Sequence, residues 1–531
     1  MAKRVAVIGA GASGLTAIKC CLDEKLEVVC FERTDDIGGL WNYTEEAREG
    51  QACVMKSTVI NSSKEMMAYS DFPIPKRYSV FMHNTYVKKY FQLYAENFDL
   101  LKHIRFNSEV LCVKQASDFA DTGRWQIEVQ DLVNKMKTTE YFDGLLICTG
   151  HHAEMQIPTF QGQEKFKGQI LHSHDYKDMK GYENKRIVII GIGNSGGDMA
   201  VELSRVSKVF LSTRRGAWVL NRVANKGIPL DMHLAFSRFG SAIADVIPIS
   251  LKEMLVENAL NNRFDHERFA LKPQHSFFGQ HPTLNDDLPN RIVCGAVTIK
   301  PNVRCITETG IEFDDGTFEE NIEVIVLATG YIFGFPFMDK SVIDVKNNRV
   351  ELFKYMFPPE LEKPTCAVIG CIQPLGSIMP ISEMQCRLAT QVFKGITKLP
   401  TRGEMWFDIK KKEVAMAKRY VASQRHTIQV DFVPIMDELA ELVGCKPDFK
   451  ELFKTDPKLA WKCLTGPCTP YQFRLMGRHK WPGARDAIFT QWDRTFYPLK
   501  TRPVMVTTKQ KSLFRYFFIL LFVVIIWSLL F

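Results

Sequence analysis

An α/β chain with two successive doubly wound units is what this 531-residue sequence predicts, on three observations. Val188-Ile189-Ile190 runs into Gly191-Ile192-Gly193-Asn194-Ser195-Gly196-Gly197-Asp198, an apolar strand closing on a Gly-x-Gly-x-x-Gly turn that opens a helix. The same design stands near the N-terminus, where Val5-Ala6-Val7-Ile8 precedes Gly9-Ala10-Gly11-Ala12-Ser13-Gly14. Two further apolar strands, Leu145-Leu146-Ile147-Cys148 and Val324-Ile325-Val326-Leu327, both end shortly afterwards on Thr-Gly, at Thr149-Gly150 and Thr329-Gly330. One such glycine turn is a weak signal; two in one chain predict two Rossmann-like dinucleotide sites, between which electrons can pass.

In the first unit the continuous apolar run suits a buried parallel strand, and Leu15, Ile18 and Leu22 fall on one face of the following helix. Gly9 permits the tight turn, Gly11 lets backbone approach a pyrophosphate, and Gly14 lets helix and strand pack closely. Phosphates would sit at the helix N-terminus, over Ala10, Ala12 and Ser13, where free N–H groups favour anions. The second strand, Val28-Val29-Cys30-Phe31, ends at Glu32, an acid placed to accept hydrogen bonds from ribose hydroxyls. An acid there disfavours a 2′-phosphate, so this site fits FAD or NAD. Gly38-Gly39-Leu40-Trp41 suggests backbone lying close to the same ligand, with a plain turn beside a core tryptophan as the alternative. The stripe Tyr86, Tyr90, Phe91 and Tyr94 predicts a helix over Thr85 to Asn97 packed into the core.

The second unit differs where it matters. Its second strand, Val209-Phe210-Leu211, ends in Ser212-Thr213-Arg214-Arg215, and hydroxyls with a guanidinium suit a 2′-phosphate, which points to NADPH held by Thr213 and Arg214. Gly191, Gly193, Asn194, Ser195, Gly196, Gly197 and Asp198 are the candidate cofactor contacts of this unit's glycine turn, with service to the helix dipole as the alternative role of Asp198. Ala217 through Phe278 predicts a mostly helical, hydrophobic insertion that lines a substrate entrance or lies on a membrane, broken into short pieces by Pro248 and Pro273. Ala367-Val368-Ile369-Gly370 reads as a central strand that returns to complete the first unit.

Composition excludes several classes. With 46% apolar and 24% charged residues the chain is globular, and a net charge of +8 without a Lys/Arg-rich block argues against nucleic acid as a partner. Fourteen cysteines with no Cys-x-x-Cys pair indicate reduced thiols in a cytosolic compartment. No secretory leader is expected, because the first strand begins at Arg4, so the sequons at Asn42 and Asn61 are discounted. No metal site is indicated. Tyr516 to Phe531 carries no charge and follows Lys509, Lys511 and Arg515. It is shorter than the roughly 20 residues of a spanning helix, but it is apolar on all faces. It predicts a membrane anchor, spanning or embedded, with the body on the cytosolic side.

Phe166-Lys167-Gly168-Gln169-Ile170-Leu171-His172-Ser173-His174-Asp175-Tyr176, lying between the two glycine turns, matches the Phe-x-Gly-x-x-x-His-x-x-x-Tyr/Phe signature of the flavin-containing monooxygenases. With Leu327-Ala328-Thr329-Gly330-Tyr331, the turn ending Asn194-Ser195-Gly196 and the apolar tail, the chain resembles the vertebrate microsomal branch of that family along nearly its whole length. The segments Arg263-Phe264-Asp265-His266-Glu267 and Pro282-Thr283-Leu284-Asn285 look most like one of its mammalian isoforms. The resemblance implies bound FAD, NADPH as reductant and O2 as co-substrate. It implies a flavin C4a-hydroperoxide, stabilised by bound NADP+, that oxygenates small lipophilic amines and sulfides and, in some members, inserts oxygen into ketones. It also implies residence at the endoplasmic reticulum membrane; a homo-oligomer is left open.

On the same resemblance Asn61 lies beside the reactive face of the flavin and Asn194 beside the nicotinamide, both as catalytic hydrogen-bonding groups. Ile60, Ser62 and Gln373 join the flavin site, and His172 is a structural residue of the domain junction. The implied organisation is a flavin domain in two parts, 1–154 and 331–442, around an NADPH domain at 155–213 and 297–330. An insertion at 214–296, a C-terminal region at 443–510 and an anchor at 511–531 complete it. The chain departs from many relatives at Gln161, His174, Leu388 and Gly477-Arg478-His479, none of them in the nucleotide turns, and Tyr176 stands where dedicated ketone-inserting enzymes have Trp. Three alternatives stay open. One is an NADPH oxidase releasing H2O2, and another a non-catalytic NADPH sensor. The third is a disulfide reductase, for which Cys366 and Cys371 offer a Cys-x4-Cys pair across a late strand and Cys20 and Cys21 are adjacent on a helix.

Overall fold

The computed structural model describes residues 3–233, 236–421, 423 and 427–503. Its frame is two five-stranded sheets in which every neighbouring pair of strands is parallel. The first runs in the order Cys366–Val368, Gly144–Ile147, Arg4–Ile8, Glu27–Phe31, Ile104–Arg105, and the second Val297–Lys300, Lys208–Ser212, Arg186–Ile190, Val324–Leu327, Gln169–His172. In each sheet the strand before the glycine turn is flanked by its own second strand and by the strand that closes on Thr-Gly. Val7 stands opposite Cys30 and Leu146, and Ile189 opposite Leu211 and Val326. These residues are all buried on both faces of their sheets, which is why the strands read as unbroken apolar runs.

The returning segment near Ala367 does join the first sheet, through Cys366–Val368 and a hydrogen bond from the Leu145 N–H to Thr365 O (2.8 Å). It lies at the end of that sheet, not at its centre, and is buried because helices and loops cover the edge. An antiparallel sheet of Ser108–Gln115, Trp125–Asp131 and Lys137–Phe142 covers one face of the first sheet, packing Trp125, Ile127 and Phe142 against Ala6, Ile8 and Phe31. Helix Ile378–Phe393 packs along helix Ala12–Asp23, with the Ser13 and Ser382 hydroxyls 3.0 Å apart. Where the chain passes between the two units, Tyr331 pairs with Met155 and Ile332 with Glu154 in a short antiparallel ladder.

Two further expectations change. The helix over Asn84–Asn97 buries Tyr90, Phe91 and Tyr94 but leaves Tyr86 44% exposed, because position 86 turns away from the core stripe. The insertion is less helical than its composition suggests. It contains helices Arg238–Val246, Ile249–Asn261 and Leu288–Val293, separated by irregular chain and by the parallel pair Val219–Leu220 with Thr283–Leu284. Prolines 229, 248, 273 and 282 deny it longer helices, Pro248 serving as the N-cap of the second. The apolar tail and the anchor at 511–531 lie outside the described residues; among those described, no helix is long and apolar enough to cross a membrane.

Candidate functional site

The first glycine turn shows why its residues are needed. Gly9 takes φ +96° and donates to Phe31 O at 2.8 Å. A Cβ on Gly14 would lie 1.8 Å from Gly9 O, so the helix approaches the strand as only glycine allows. Across from Gly11 sits Gly39, with φ +52°, and a Cβ on Gly11 would stand 3.6 Å from the Gly39 Cα. The Gly38 N–H donates to Ala10 O at 3.0 Å, which fixes the Gly38–Trp41 turn over the glycine turn; the Trp41 N–H closes back on Gly38 O. Two backbone segments without side chains thus face each other at a helix N-terminus that no side chain caps. That bare cradle fits a pyrophosphate. Glu32 is buried at the end of its strand and accepts from the Ala10 N–H (2.7 Å), the Thr34 N–H (2.9 Å) and the Thr34 hydroxyl (2.8 Å). It therefore braces the turn. Ala12 lends its carbonyl to the Tyr69 hydroxyl, and Leu40 its carbonyl to the Val54 N–H.

The second turn repeats this geometry. Gly191 has φ +114°, and a Cβ on Gly196 would lie 1.9 Å from Gly191 O. A Cβ on Gly193, by contrast, would meet nothing within 4 Å, and Ser195 beside it is exposed. This is the open side of the cradle. Beyond the second strand, the Thr213 hydroxyl accepts from the Gly216 N–H at 3.1 Å, while Arg214 is exposed and has no ion pair among the described residues. A free guanidinium there fits a phosphate. Gly197 and Asp198 turn the other way. A Cβ on Gly197 would touch the Thr283 and Asn285 side chains, and Asp198 accepts from Asn285 Nδ2 at 2.9 Å. Burial pushes the Asp198 carboxyl up to about 6. These two residues hold the insertion against the nucleotide helix.

The insertion joins the two predicted asparagines. Asn194 Oδ1 accepts from the Leu284 N–H at 2.8 Å, and the Thr283 hydroxyl donates to Ile192 O. Two residues on, Asp286 takes both the backbone N–H of Arg222 (3.0 Å) and its Nη1 (2.9 Å). Arg222 Nε then donates to Asn61 Oδ1 at 3.1 Å. The Ser63 N–H donates to Asp231 Oδ2 at 2.7 Å, and the Ile60 N–H to Met82 O at 2.9 Å, so Ile60-Asn61-Ser62-Ser63 is held from both ends. Gln373 stands apart from this network, at the start of strand Gln373–Leu375, its N–H on Ile428 O. Arg222, Asp231 and Asp286 carry no local sequence signal, since each acquires its meaning from a partner remote in the chain.

His172 is buried, with Nε2 3.1 Å from Gly330 O and Nδ1 accepting the His174 N–H, and burial lowers its pKa. It ties the signature strand to the Thr-Gly loop of the neighbouring strand. All fourteen cysteines are free, and Cys366 and Cys371 are buried thiols whose pKa burial raises; neither has the character of a reactive dithiol.

The profile described as "Flavin-binding monooxygenase-like" matches residues 2–531. Flavin-containing monooxygenase 5 of Rattus norvegicus is 55% identical over 505 residues, covering 94% of each chain. Among solved structures, an S-allyl-L-cysteine S-oxygenase from Allium sativum aligns with a TM-score of 0.63 at 21% identity, over 93% of this chain and 98% of the other. Cyclohexanone monooxygenase from Rhodococcus sp. Phi1, bound to NADP+, aligns with a TM-score of 0.58 at 14% identity, over 83% of this chain and 97% of the other. The glycine cradles, the intervening His172 signature and this match along the whole chain establish one conclusion: the protein is an enzyme of the flavin-containing monooxygenase family.

Proposed function

We propose that the enzyme uses FAD at the first cradle and NADPH at the second to insert one atom of O2 into small lipophilic compounds bearing nucleophilic nitrogen or sulfur, with ketones as a second class. Bound FAD, reduced by NADPH, supplies the activation of O2. The chain's own residues bind and orient. Gly11, Gly38 and Gly39 admit the flavin dinucleotide, Glu32 meets its ribose, and Gly193 with Arg214 admits the phosphorylated nicotinamide dinucleotide. Asn61 and Asn194 present amide groups where the two cofactors meet. The observation that carries this reading is that Asn194 and Asn61 are both held by the insertion, Asn194 by the Leu284 N–H and Asn61 by Arg222, itself held by Asp286, which supports two cofactors meeting there. The garlic S-oxygenase and the cyclohexanone monooxygenase among the structural neighbours support a sulfur or a ketone substrate class.

Surface chemistry supports the location we infer. Phe239, Ile243, Val246, Ile249, Leu251 and Leu255 of the insertion are exposed, and with the apolar run Tyr516 to Phe531 they suit a body resting on a bilayer, at the endoplasmic reticulum and facing the cytosol. The test mixes NADPH-reduced enzyme with O2 and an organic sulfide, and measures sulfoxide and H2O2 per NADPH. Sulfoxide in near equivalence to NADPH is the expected result. H2O2 alone would make the protein an oxidase, and no flavin reduction would make it a binding protein.

A further inference from the structure

We propose that Arg222 is a positioning residue of the oxygenation site, fixing which way the Asn61 amide faces. An asparagine side chain has one accepting and one donating end, and rotation by half a turn exchanges them. A guanidinium has only donors, so Arg222 Nε at 3.1 Å selects the amide oxygen and leaves Nδ2 as the group that faces the flavin side. The guanidinium is itself held. Asp286 takes Nη1 at 2.9 Å and the Arg222 backbone N–H at 3.0 Å, and the carbonyl of Val59 lies 3.5 Å from Nη2. The side chain is only 13% exposed, so these charged contacts act in a partly desolvated setting where they are stronger than in water.

The loop that carries Arg222 also grips the far end of the same segment. The Leu230 N–H donates to Arg222 O at 2.8 Å, and Asp231 takes the Ser63 N–H at 2.7 Å. Because Asp286 lies two residues from Leu284, which Asn194 holds, a cofactor seated at the second turn bears on the Arg222 guanidinium through a continuous backbone. A plain salt bridge that only pins the insertion would need Asp286 and nothing from Asn61. The contact through Nε is what separates the two.

This inference rests on Asn61 lying at the oxygenation site, and the experiment separates failure of the one from failure of the other. Full-length holoenzymes carrying Asn61→Ala, Arg222→Lys, Arg222→Gln and Asn61→Ala with Arg222→Gln are compared for FAD content, thermal midpoint, H2O2 released per NADPH, and amide hydrogen exchange across residues 57–64. Arg222→Gln is expected to raise H2O2 per NADPH about tenfold, the scale of a displaced orienting group, and to speed exchange in 57–64 while FAD stays bound. Arg222→Lys keeps the charge for Asp286 but lacks the Nε fork; it should hold the thermal midpoint and still uncouple. The double variant should leak no more than the worse single one. If Asn61→Ala uncouples and Arg222→Gln does not, or if their effects multiply in the double variant, Arg222 merely pins the insertion. Unchanged coupling in Asn61→Ala would remove the site assignment and this inference with it.

Discussion

Two glycines in one turn carry opposite expectations. At Gly193 a Cβ would meet nothing within 4 Å, so Gly193→Ala should leave the thermal midpoint unchanged and raise the KM for NADPH about tenfold, by intruding where phosphate approaches the backbone. At Gly196 the Cβ would lie 1.9 Å from Gly191 O, and Gly196→Ala should destabilise the protein by about 1–3 kcal/mol, read as a fall in the urea midpoint. Arg214→Gln tests the phosphate reading from another side: the KM for NADPH should rise about tenfold while that for NADH stays level, because only the former carries the group a charged hydrogen bond would hold. Asp231 titrates by burial. Its carboxyl is pushed up to about 6, so the folded state holds this proton more tightly than the unfolded chain. Its stabilising contribution is complete below the unfolded value and is lost as pH rises through about 6. Asp231→Asn should therefore be more stable than the parent at pH 8, by up to about 3 kcal/mol, with the difference vanishing near pH 4. Thermal melts at the two pH values decide it.

Among the elements, helix Ile378–Phe393 depends on a buried ionic group. Arg474 Nη2 contacts Glu383 Oε1 at 2.7 Å and Asp71 Oδ2 at 2.9 Å, with Lys19 Nζ on the same Asp71 at 2.6 Å, and Arg474 and Glu383 are almost fully inaccessible. Removing one partner leaves buried charge uncompensated, so Arg474→Met should cost about 3–5 kcal/mol in urea unfolding, and adding Glu383→Leu should recover part of it. This attachment of the C-terminal region to the first nucleotide helix has no sequence signature, whereas the strands on either side of each glycine turn do. The difference is one of range. The glycine turns are dictated by contacts within a few residues, and the strands by burial on both faces, so their residues advertise them. Asn61 and Arg222 are 161 residues apart, and neither is unusual in its own neighbourhood. The insertion misled for a related reason: its apolar content suggests helix, but much of that content is exposed instead of forming a buried stripe. Asp198 likewise owes its partner, Asn285, to a contact remote in the chain.

For the molecule as a whole, the insertion has two faces with different tasks. Its inner loops, at Arg222, Asp231 and Leu284–Asp286, bind the segments that carry Asn61 and Asn194. Its outer helices present Phe239, Ile243, Val246, Ile249, Leu251, Met254 and Leu255 to solvent, and Val246 is 81% exposed. Arg238 at the start of the first outer helix is nonetheless buried and paired with Asp437 at 2.6 Å, so these helices are anchored to the body and their apolar face is not simply unfolded chain. On the membrane location proposed above, a lipophilic substrate dissolved in a bilayer would enter across this face without a full passage through water. The triple variant Val246→Ser, Ile249→Ser, Leu255→Glu should therefore leave the KM for a water-soluble sulfide unchanged. For a sulfide dissolved in phospholipid vesicles the KM should rise about threefold or more, since apolar area and charge at an interface govern how such a face embeds. The apolar run at the end of the chain is retained in both proteins and cancels from the comparison. Equal KM values for the vesicle-borne substrate would mean that the outer helices face water and that substrate enters elsewhere.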